Sequence, residues 1–97
     1  MSALDTDRQA AELRRRASGL RRVAAVVEDA LLGHLGRLAG DATWFGPTAG
    51  AFAEDCHTVG RLLAETADDL RRAATRLDHE ALELERAARV AGGVLGA

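Results

Sequence analysis

The amino-acid sequence predicts an all-α fold, an antiparallel helix-turn-helix hairpin that pairs with a second hairpin into a four-helix bundle dimer. Three observations predict it. Apolar residues recur every seven positions along two long segments, and the single Pro and single Trp fall together near mid-chain. More apolar residues remain than one seam between two helices covers.

The first helix is expected over about residues 4–39, with Thr6 and Gln9 spaced as a capping box at its start. Leu13, Leu20, Val27 and His34 share one heptad row, and Ala10, Ala17, Ala24, Leu31 and Leu38 share the next. Together they form a helical seam. The residues from Gly40 to Pro47 are the turn. Pro47 suits a first helical position, where its missing N–H would have had no partner.

The second helix is expected over about residues 48–91. Cys56, Leu63, Leu70, Leu77, Leu84 and Ala91 stand at unbroken seven-residue spacing, flanked by Phe52, Val59, Thr66, Ala73 and Ala87. A repeat of seven favours left-handed packing of the helices at roughly 20°. Residues 92–97 carry three glycines and are expected as a flexible tail. Val23, Val26, Leu32 and Leu35 on the first helix lie beside or beyond the seam, as do Leu62, Leu82 and Val90 on the second. A second hairpin would cover them.

Composition narrows the function. All 13 basic residues are Arg, and Lys, Ile, Asn and Tyr are absent, as a GC-rich genome such as an actinobacterial one produces. A net charge of -2 opposes general nucleic-acid binding, which needs a positive excess. No stretch approaches the ~20 apolar residues of a membrane span, so no membrane insertion is expected. The polar, acidic start of the chain lacks the pattern of a secretory signal peptide.

Catalytic signatures are missing. Cys56 and His57 are neighbours, so on a helix they point apart and cannot work as nucleophile and base. Cys56 follows the heptad row as a core residue, and His34 reads as a seam histidine, buried or pH-sensitive. Three scattered histidines offer no metal-ligand spacing, and no phosphate loop or nucleophile elbow occurs. The expectation is a chain that is not an enzyme, with no catalytic residues, no cofactor and no metal. The basic stretch Arg14, Arg15, Arg16, Arg21 and Arg22 is expected to pair with acids of a partner hairpin or to be solvated. Arg71 and Arg72 are spaced for pairing with Asp68 and Asp69 along the helix.

At the turn the chain reads Trp44-Phe45-Gly46-Pro47-Thr48-Ala49-Gly50-Ala51-Phe52. This resembles the Trp-x-Gly (WXG, or ESAT-like) family of small type VII, or ESX, secretion substrates, over nearly the whole chain. The resemblance implies a hairpin with Trp44, Phe45 and Gly46 in its turn and Phe52 behind them, where it can pack beneath the Trp44 ring. It implies a homodimer, or a heterodimer with another WXG-family hairpin, presented to a type VII secretion ATPase. Export would then be signal-peptide-independent.

The family's second signature is Tyr-x-x-x-Asp/Glu near the end of the second helix, and this chain has no Tyr. His79 and Glu83 are the nearest approximation, with the apolar pair Val94-Leu95 as another candidate signal. Two readings stay open: an exported substrate or substrate partner, and a non-exported cytoplasmic helical adaptor or chaperone that pairs with a larger type VII effector.

Overall fold

The computed structural model describes the backbone of residues 3–40 and 47–96 and the side chains of residues 4–34 and 50–93. The chain is all-helical there: α1 spans Ala3–Gly40 and α2 spans Pro47–Gly96, and the two pack against each other as a hairpin. Trp44, Phe45 and Gly46 lie outside the described residues, as do the side chains of Leu35, Leu38, Val94 and Leu95.

The helix ends differ from expectation in two places. Because α1 begins at Ala3, Thr6 lies inside the helix and does not cap it; Asp5, in the first turn, places a negative charge near the positive end of the helix dipole. At the other end α2 runs through Gly92 and Gly93 to Gly96, whereas a tail is expected from residue 92. Extending an existing helix gains a hydrogen bond for each residue fixed, so glycines at the end of a 50-residue helix tolerate a conformation they would not nucleate.

The chain forms two compact units. The first joins Met1–Arg21 to Arg71–Ala97. Its core is Ala10 and Ala17 from α1 with Ala74 and Ala81 from α2, each no more than 1% exposed. The direction of pairing is read from two ion pairs, Arg14 with Glu85 and Arg21 with Asp78. Seven residues separate 14 from 21 and seven separate 85 from 78, in opposite senses, so the helices are antiparallel and one heptad of α1 meets one heptad of α2.

The second unit is Arg22–Leu70. Ala24 and Ala67 are buried in it, and Leu31 reaches the position where a side chain on Gly60 would begin, 3.5 Å from an ideal Cβ. Large against small thus replaces small against small at this level of the seam.

The seam row of α2 is therefore Gly60, half-buried, with the buried Ala67, Ala74 and Ala81, four residues on from the row that begins at Cys56. The expected flank, Phe52, Val59, Thr66, Ala73 and Ala87, is not the one that closes the seam between α1 and α2. Phe52 and Val59 are about half exposed, Thr66 and Ala87 are exposed, and Ala73 is half-buried. The physical reason is closeness: alanines let two helix backbones approach, and Val or Phe at the same place would hold them apart. Leu13, Leu20, Val27, Leu63, Leu70, Leu77 and Leu84 line the edges of this alanine seam, half-buried, and Leu31, also half-buried, continues the α1 seam row.

Candidate interaction surface

Taking the buried alanines as the centre of each helix face sorts the remaining rows by side. About 100° per residue puts Arg14 and Arg21 of α1, and Asp78 and Glu85 of α2, on one flank of the seam, where they meet as ion pairs. The half-buried leucine rows occupy the other flank. In an antiparallel pair like rows face like rows, so in the first unit one flank of the seam is ionic and the other apolar.

Within the second unit the apolar side continues outward. Val23, Val26 and Ala30 of α1 follow one another at helical spacing of three and four, as do Phe52, Val59 and Leu62 of α2 at seven and three. Val23 is 50% exposed, Val26 66%, Phe52 51%, Val59 46% and Leu62 54%. Isolated surface apolar residues are ordinary, but five large ones on one side of a short two-helix unit form a patch. Leu32, 68% exposed, stands apart, on the opposite side of α1 from Val23. In the first unit Leu4, Leu82 and Val90 are exposed on separate rows and form no comparable surface.

Four of the α1 arginines pair with acids of their own chain while their side chains stay 45–70% exposed. Arg14 and Arg21 engage Glu85 and Asp78 of the same chain, and the Arg21 Nη2 to Asp78 Oδ2 distance is 2.6 Å. Arg15 and Arg16 both pair with Glu12 one turn back, Arg15 donating at 2.6 Å. The Arg15 hydrogen bond, with the charges of both guanidinium groups, holds the Glu12 carboxyl below its ordinary value of 4.5. Sequence spacing shows the local pairs, but the cross-helix pairs depend on register, which one chain of letters does not display.

His34 is exposed and so is not the buried seam histidine that was one of its two expected readings. Its row runs along the edge of the alanine seam, where burial is partial throughout. Cys56, on the α2 edge row, is a half-buried free thiol. His79 and Glu83 are exposed on α2, and Glu83 receives a hydrogen bond from Arg86 at 3.2 Å. Thr58, Thr66 and Thr75 each donate to the carbonyl four residues back, which satisfies their hydroxyls within the helix. An open groove in the first unit is lined by Asp7, Glu85, Ala88 and Arg89, and Arg14 already occupies the Glu85 carboxylate.

Among the described residues no group of histidine, cysteine and carboxylate side chains is arranged to hold a metal ion, and no helix is long and apolar enough to cross a membrane. The most prominent exposed apolar feature is thus the side of the second unit that carries Val23, Val26, Val59 and Leu62. Comparison with known proteins returned no matching family model, no matching curated protein and no matching solved structure.

Proposed function

We propose that this chain is a non-catalytic protein–protein interaction module of the WXG kind, a hairpin that completes its fold by pairing with another helical hairpin and serves type VII secretion as substrate or substrate partner. The observation that carries the pairing is the half-exposed row of Val23, Val26, Phe52, Val59 and Leu62 beside a seam made of alanine. Alanine burial supplies little apolar area per residue, so a partner that covers the valine and leucine rows contributes much of the stabilisation. The secretion role rests on the Trp44-Phe45-Gly46 sequence between the two helices.

The absence of Tyr favours a second reading, a cytoplasmic adaptor that pairs with the helical part of a larger type VII effector and is not exported. Comparing culture filtrate and lysate from strains with and without the secretion ATPase separates the two. ATPase-dependent appearance in the filtrate supports the substrate reading, retention in the lysate of both strains supports the adaptor, and export without the ATPase contradicts the type VII role.

A further inference from the structure

The partner's chemistry follows from charge. Counted over the sequence, the second unit holds three arginines against eight carboxylates, a net of -5, and the first holds ten against seven, a net of +3. The whole-chain value of -2 conceals this separation. In the second unit the apolar rows run beside Asp29, Asp55 and Glu65, with Arg22 on the same row as Asp29 and the carboxylates in excess.

We infer that the apolar side of the second unit, formed by Val23, Val26, Phe52, Val59 and Leu62, docks a basic amphipathic helix from a partner protein. The inference rests on the pairing reading above and names the partner's chemistry. A long apolar strip between two antiparallel helices takes a third helix through residues spaced at three and four, and the acidic surround selects arginine or lysine beside them. Two copies meeting through this same surface would bring together two bodies of net charge -5, so face-to-face self-pairing is opposed. Nucleic acid is opposed by the same charge.

The test uses the full chain and two labelled helical peptides with identical leucine spacing, one flanked by arginines and one by glutamates, followed by fluorescence anisotropy. The arginine peptide binds, the glutamate peptide binds at least tenfold more weakly, and added salt weakens the first. Val26→Gln and Val59→Gln each weaken binding by about tenfold, whereas Leu32→Gln, outside the patch, leaves it unchanged. All three positions are exposed, and circular dichroism confirms that each variant stays helical.

Equal binding of the two peptides, binding of neither, or an equal loss from Leu32→Gln overturns the inference. Sedimentation of the chain alone distinguishes its failure from that of the pairing reading. A tight dimer abolished by Val59→Gln keeps the pairing and replaces the basic helix with a second copy. A monomer that binds neither peptide and shows no cross-link from residue 26 or 59 in cells removes both.

Discussion

At the residue scale, the decisive positions are the smallest. Ala17 and Ala74 are fully buried between helices, so Ala74→Leu forces the backbones apart and costs about 1–3 kcal/mol, as overpacking does in other cores; urea unfolding measures this. Glycines behave in the opposite way. An ideal Cβ on Gly19 or Gly50 has nothing within 4 Å, so Gly→Ala at either site raises stability by about 0.5–1 kcal/mol through helix propensity alone. Gly60→Ala is tolerated as well, because its new methyl meets Leu31 at an ordinary van der Waals distance of 3.5 Å. No thermal gain in Gly19→Ala would mean that the site is in closer contact than the isolated chain displays. The alanine row was legible in the letters, since Gly60, Ala67, Ala74, Ala81 and Ala88 repeat every seven residues. It was overlooked because burial is usually sought in large side chains, and this seam buries small ones.

At the scale of the helices, element type and pairing were legible from heptad spacing, and the ends and register were not. Two equally regular flanks surround the Cys56–Ala91 row, one with Phe52 and Val59 and one with alanines, and only helix-to-helix distance decides between them. Cross-helix charge reports the register chosen. Arg21 and Asp78 keep 45% and 35% of their side-chain surface, so solvent screens the pair, and Arg21→Ala costs no more than about 1 kcal/mol, less at high salt. The pH response belongs to α1. Glu12 has a folded-state pKa below its unfolded value, so its contribution is complete above about pH 4.5 and is lost as pH falls through the lower folded value. An NMR titration of Glu12 finds its midpoint below 4.5, and Arg15→Gln moves it back up, because the Arg15 hydrogen bond is the largest cause. An unshifted midpoint in the native chain would contradict the pairing along α1.

At the scale of the whole molecule, the sequence announced more apolar residues than a hairpin covers, and the structure locates where they stay uncovered. Exposure of Val23, Val26, Leu32, Leu62, Leu82 and Val90 was foreseeable from their offset from the seam rows. Their grouping was not, because it depends on which flank carries the ion pairs. The pairing of Arg14 and Arg21 with the chain's own second helix depends on the same register. The central claim is that the apolar side of the second unit is covered by another helical body. Photo-cross-linking in the native cells tests it most directly, with a benzophenone amino acid placed in turn at residues 26, 59 and 32. A covered apolar side gives one discrete adduct of the same mass from residues 26 and 59 and none from residue 32. No adduct from residues 26 and 59, or the same adducts from all three, would contradict it.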